Sequence, residues 1–82
     1  MKELLVTIYV LSLHEEYDLF IPISIKTEDA VNLIQDSIVE MSSGNCVKKD
    51  RVYLVNEEGF AINTNNPVKY SGLRNGSRLL MI

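Results

Sequence analysis

An α+β fold, one amphipathic helix packed on a mostly antiparallel sheet, is predicted by three features of this 82-residue chain. Two β-rich runs stand side by side near the start, separated by a short polar break. One helical stripe follows them. Short β-rich runs then alternate with glycine-bearing turns as far as Ile82. The element order is ββαββ, with room for one further short strand.

Residues Lys2 to Leu13 concentrate β-branched and aliphatic side chains, from Leu4 and Val6 through Ile8 and Val10, which suits a strand. The polar stretch His14 to Tyr17 reads as a hairpin turn. A second strand is predicted from Asp18 to Ser24, with Leu19, Ile21 and Ile23 on one face and Phe20 and Pro22 on the other. Pro22 cannot donate to a ladder, so this strand belongs at an edge or ends there. Thr27 occupies the N-cap position of a helix whose first turn holds Glu28 and Asp29, where the helix dipole favours anions. Val31, Ile34, Ile38 and Met41 follow at helical spacing, widened by Ala30 and Leu33, and make one buried stripe. Asn32, Gln35, Asp36 and Glu40 fall mainly on the opposite side. Gly44 and Asn45 tolerate positive φ and close the helix. Arg51 to Val55 is a third strand, Asn56 to Gly59 a turn, and Phe60 to Ile62 a brief return strand. A loop over 63–68 and the pair Asn75-Gly76 lead into a last strand, Arg78 to Ile82.

Composition narrows the function classes. With 8 Lys and Arg against 11 Asp and Glu, the formal net charge is −3. Phosphate backbones need clustered cations, so nucleic acid is not an expected partner. Every apolar run is interrupted too early to span a bilayer, and direct membrane insertion is not expected. The start, Met1 to Leu4, has an early acid and no small-residue cleavage site, and does not read as a signal peptide. Cys46 is the only cysteine, which rules out an intramolecular disulfide framework and fits a reducing compartment. The expectation is a single cytoplasmic domain over residues 1–82.

The order of elements is that of the β-grasp. The closing segment, Tyr70-Ser71-Gly72-Leu73-Arg74-Asn75-Gly76-Ser77-Arg78-Leu79-Leu80, resembles the ubiquitin pattern of a tyrosine, a nearby aliphatic, a tight turn and an alternating final strand. That resemblance implies a ubiquitin-like fold with one helix on a four- to five-stranded mixed sheet. It also implies that Tyr70 and Leu73 pin a loop beneath the helix. The hairpin Tyr17 to Pro22, the helical stretch Leu33 to Ile38, and Tyr70, Leu73, Gly76 and Leu79 are similar to the YukD/EsaB family. Those small ubiquitin-like proteins accompany the type VII (WXG100) secretion systems of Gram-positive bacteria. Gln35 stands where that family is usually apolar, and one residue is added near Gly72. The resemblance implies a cytoplasmic accessory acting on a membrane or ATPase component of a secretion machine.

No active site is nominated by the residues. Cys46 would need a base or a helix N-terminus to become a nucleophile, and it follows a helix C-terminus instead. It reads as a half-buried loop thiol. His14 beside Glu15 and Glu16 reads as a solvated turn, because ligands on one hairpin converge poorly on a metal. Asn56, Glu57 and Glu58 lack the spaced ligands of a calcium loop. Lys48, Lys49 and Arg51 form a small basic cluster of the kind usually found on a solvated loop. No enzyme, no cofactor and no metal are therefore expected.

The surplus is apolar. Strand one alternates Leu4, Val6, Ile8 and Val10 with Leu5, Thr7, Tyr9 and Leu11, and only one set can face a helix. The resemblance places the first set inside. The second set then lies on the open face of the sheet with Phe20, Tyr53, Val55, Leu80 and Ile82, where polar residues are the rule. The bland alternative is a sheet stabilised by cross-strand pairs alone. The functional reading takes Leu5, Tyr9, Phe20, Tyr53 and Leu80 as a partner-binding face with Tyr53 and Leu80 near its middle. It makes the chain a non-conjugated interaction module, weak homodimerisation being the rival use of the same face. A second reading, a modifier or sulfur carrier, requires a C-terminal Gly-Gly that this chain does not carry before Ile82. A third, a thiol-based enzyme or redox protein, would centre on Cys46.

Overall fold

The computed structural model describes residues 2–82; Met1, part of the start read above for a leader, lies outside them. Among the described residues the chain runs β1 (Glu3–Val10), β2 (Glu15–Pro22), α1 (Thr27–Met41), β3 (Leu54–Val55), a 3-10 turn (Val68–Tyr70) and β4 (Ser77–Met81). The sheet order is β2-β1-β4-β3, with β1 parallel to β4 and both outer pairings antiparallel. One helix on a four-stranded mixed sheet is the β-grasp arrangement.

Period-two alternation in β1 sends Leu4, Val6, Ile8 and Val10 into the core. Ala30, Ile34 and Ile38 of α1 meet them there, with Leu19, Ile21, Leu54, Leu79 and Met81 from the other strands. Val31 packs against this cluster partly buried. Leu33 and Met41 are exposed, so the buried arc is narrower on that side than the sequence stripe suggested.

Several expected boundaries shift. The hairpin turn is Leu11 to His14, and Glu15 to Tyr17 already belong to β2. Leu13 N–H donates to the Val10 carbonyl, and His14 takes a left-handed φ of 53° to reverse the chain. The polar residues misread as a turn are the start of an edge strand, where charge is normal. Pro22 ends β2 on that edge, as its missing N–H requires. Thr27 is not the helix cap. Lys26 holds that position, without a side-chain cap bond, and the Thr27 hydroxyl instead donates to the Asn66 carbonyl at 2.6 Å. Gln35 is also misplaced in the sequence reading: it is buried on the inner arc, with Nε2 donating to the Lys49 carbonyl at 3.1 Å.

Gly44 closes α1 with φ +83° and donates to the Val39 carbonyl at 3.0 Å. The regular part of β3 is only Leu54–Val55, although Tyr53 and Ile82 exchange two further backbone bonds at 3.1 and 3.0 Å. Phe60 to Ile62 forms no strand among the described residues; a single bridge joins Val55 and Ala61. Tyr70 does not pin the loop. It is 68% exposed, with the Lys69 ammonium 5.0 Å from its ring centroid, while Val68 is fully buried in that role and Leu73 packs against the core. A 3-10 turn puts successive residues on different sides, and here Val68 takes the inner one.

Candidate protein-interaction face

The cross-strand register places each outward side chain. Leu5 lies opposite Phe20, Thr7 opposite Asp18 and Arg78, and Tyr9 opposite Glu16 and Leu80. Val55 lies opposite Leu80 on the other side. Tyr53, bonded to Ile82, stands one row further on. Leu5, Tyr9, Val55 and Leu80 are half-buried, whereas Phe20 is 64% and Tyr53 53% exposed. All five residues proposed for the face therefore share the side of the sheet away from the helix.

They do not form one patch. The Thr7 hydroxyl donates to Asp18 Oδ1 at 2.7 Å, and Arg78 Nη2 reaches Glu16 Oε1, also at 2.7 Å, across the width of β1. This polar row crosses the middle of the sheet. On one side Tyr9, Leu80, Val55, Tyr53 and Ile82 make the larger apolar patch. On the other, Leu5 and Phe20 make a smaller one at the β2 edge. The parity of each strand was readable, but Glu16 and Arg78 are 62 residues apart and only the register brings them together. Glu16 and Arg78 are thus additions to the face that alternation alone did not single out, while Thr7, already on it by alternation, belongs to the polar row.

The polar neighbours of the larger patch are ordered. The Tyr9 hydroxyl lies 3.1 Å from His14 Nδ1, with the rings edge-to-face and centroids 6.4 Å apart. On the helix side of the sheet, Tyr17 packs against the core and donates to Glu15 Oε2 at 2.8 Å; this bond, followed by desolvation and the carboxylate's charge, raises the phenol's pKa above its ordinary value. Glu57 and Asn56 close a shallow depression beside Tyr9, Val55 and Leu80.

The other sequence candidates stay apart from this face. Cys46 is 5% exposed, a buried core thiol rather than the half-buried one expected, and its N–H donates to the Ser42 hydroxyl. His14, Glu15 and Glu16 are all exposed, and no group of three or more potential metal ligands gathers among the described residues. Lys48 pairs with Asp36 at 2.8 Å, both side chains more than half exposed. No helix among the described residues is long and apolar enough to cross a membrane.

Comparison with solved structures decides the fold. The chain superposes on the ubiquitin-like domain of EccD5 from Mycobacterium xenopi with a TM-score of 0.79, covering 100% of this chain and 94% of that one at 10% identity. The fold is ubiquitin-like. The ubiquitin-like domain of the type VII secretion protein ECCD1 of Mycobacterium tuberculosis gives a TM-score of 0.74 at 14% identity, over 100% of this chain and 99% of that one. A chain of the MycP5-free ESX-5 inner membrane complex matches at 0.68 and 10% identity, over 100% of this chain and 21% of that one. No family model matches the chain, and no curated protein matches it significantly.

Proposed function

We propose that this ubiquitin-like domain is a non-conjugated protein-interaction module of a type VII secretion system, and that it docks through the open face of its sheet. The observation that carries the reading is the patch of Tyr9, Leu80, Val55 and Tyr53, on a sheet face that no element among the described residues covers. The patch holds two tyrosines and two aliphatic residues; full burial of an exposed side chain of this size contributes roughly 1.5 to 3 kcal/mol, and Tyr9, Val55 and Leu80, already half-buried, contribute less than that each. The fold neighbours in mycobacterial secretion proteins support the setting, and the YukD/EsaB resemblance supports a free-standing cytoplasmic accessory. The partner is then a membrane or ATPase component of the machine.

The test separates binding from folding. Tyr53→Ala combined with Leu80→Ser should weaken capture of the secretion-machine component at least tenfold, about 1.4 kcal/mol, with the melting temperature little changed. Phe20→Ala, across the polar row, should weaken it less. A double variant that captures the component as wild type does, or that unfolds, defeats the reading. The intact mass of the native protein decides against or for the carrier alternative, through the Gly-Gly it requires.

A further inference from the structure

Beyond the larger patch, the sheet ends at an apolar cavity of about 190 Å³ between the β1–β2 turn and the loop that follows α1. Val10, Met81, Cys46 and Val52 contribute to its walls. Leu11, Val47 and Ile82 also line it and are exposed. Leu11 and Ile82 have the outward parity of the sheet, so the cavity is continuous with the apolar strip of Ile82, Tyr53, Leu80 and Tyr9.

Two features of the cavity point to an occupant. The first is Gln35, 3% exposed in a mainly apolar wall whose other polar members are Ser12 and Lys49. An amide buried among aliphatic side chains is costly unless its hydrogen bonds are made. Gln35 makes one of the four it can form, from Nε2 to the Lys49 carbonyl. No fully buried side-chain polar atom among the described residues lacks a partner, so the carboxamide oxygen keeps some exposure, and Gln35 lines both this cavity and the adjoining hollow that Val52 and Arg51 share. The second is charge. Lys48, Lys49 and Arg51 place three of the chain's eight cations within four residues, with Asp50 the one acid among them, in a protein of net charge −3. Lys48 is engaged by Asp36, while Lys49, which lines the cavity, and Arg51 form no ion pair among the described residues.

We propose that this cavity anchors an acidic–apolar segment of a protein partner. One aliphatic or aromatic side chain enters the cavity, a backbone N–H of the segment donates to the Gln35 carboxamide oxygen, and flanking carboxylates meet Lys49 and Arg51. A polypeptide fits better than a free small acid, because the apolar strip beyond Ile82 would remain wet under a ligand that filled the cavity alone. The site extends the sheet-face reading above and rests on it for the partner's course across the strip.

The probe is a capped hexapeptide, Asp-Glu-Leu-Phe-Asp-Glu, with Lys-Lys-Leu-Phe-Lys-Lys as its charge-reversed control. Titrated into the ¹⁵N-labelled 82-residue chain, the acidic peptide should shift the backbone amides of Cys46 and Val47 and the side-chain amide of Gln35, and should slow alkylation of Cys46. Lys49→Glu with Arg51→Glu should cut its affinity at least tenfold while the circular dichroism melt is unchanged; Lys49→Gln serves if that pair unfolds. Val47→Asp at the rim should reduce binding as well. The proposal is overturned if the control binds equally, if the acidic peptide shifts none of these groups at millimolar concentration, or if octanoate alone reproduces its effects. Shifts at the cavity that grow with protein concentration alone would assign it to a second copy and also overturn the proposal. Failure of the sheet-face reading shows separately: Tyr53→Ala with Leu80→Ser would then leave capture of the secretion component intact while peptide protection of Cys46 persisted.

Discussion

Ile34→Ala tests the packing of the helix on the sheet directly. Ile34 is 1% exposed and sits in the cluster that joins α1 to β1, β2 and β4. The substitution removes three carbons, about 2.4 kcal/mol at roughly 0.8 kcal/mol for each buried methylene. The unfilled space left between helix and sheet adds a cavity penalty, so the expected loss is about 2 to 4 kcal/mol. A chain of this length should have a total stability of about 4 to 12 kcal/mol. Over all but the lowest end of that range the variant stays folded, and it melts about 8 to 32 °C lower at roughly 4 to 8 °C per kcal/mol. The chain has no tryptophan, so the helical signal of α1 in far-ultraviolet circular dichroism, followed through urea and heat, is the suitable readout. Leu33→Ala, one residue away but 40% exposed, is the control and should cost less than about 1 kcal/mol. A loss below about half a kcal/mol for Ile34→Ala, or equal losses for both variants, would mean that α1 presents a different face to the sheet.

Two further outcomes follow from the core. Thr27→Val keeps the shape of a fully buried side chain but deletes the donor to Asn66, and should cost about 1 to 2 kcal/mol in urea unfolding; no change would show that the hydroxyl bond does not hold the 66–69 segment to the helix start. Cys46, buried and bonded through its backbone to Ser42, should react with a soluble alkylating reagent far more slowly in the native protein than in urea; equal rates would place the thiol outside the core.

Periodicity was sufficient for what depends on one element at a time. The period of two in β1 separated Leu4, Val6, Ile8 and Val10 from Leu5, Thr7 and Tyr9, and the burial of the strand follows it residue by residue. The spacing of Val31, Ile34, Ile38 and Met41, widened by Ala30 and Leu33, marked a stripe on α1 whose centre, Ala30, Ile34 and Ile38, is buried, while Leu33 and Met41 at its margins are exposed. Pro22 at the edge and the glycine after α1 were legible for the same local reason, a fixed φ in one case and a positive φ in the other.

Relations between elements were not legible. Glu15 and Glu16 looked like a turn because nothing in their own neighbourhood says that β2 is an edge. Gln35 looked solvent-facing because its polarity hides that it meets the Lys49 carbonyl, 14 residues away. Thr27 looked like a cap because its bond to Asn66 spans 39 residues. The open face itself shows the division most clearly. Alternation put Tyr9, Tyr53, Leu80, Leu5 and Phe20 on one side of the sheet, but each strand's parity is silent on how far it slides against its neighbours. The register, set by the packing of all four strands under one helix, laid Glu16 and Arg78 across the middle and divided those residues into two patches.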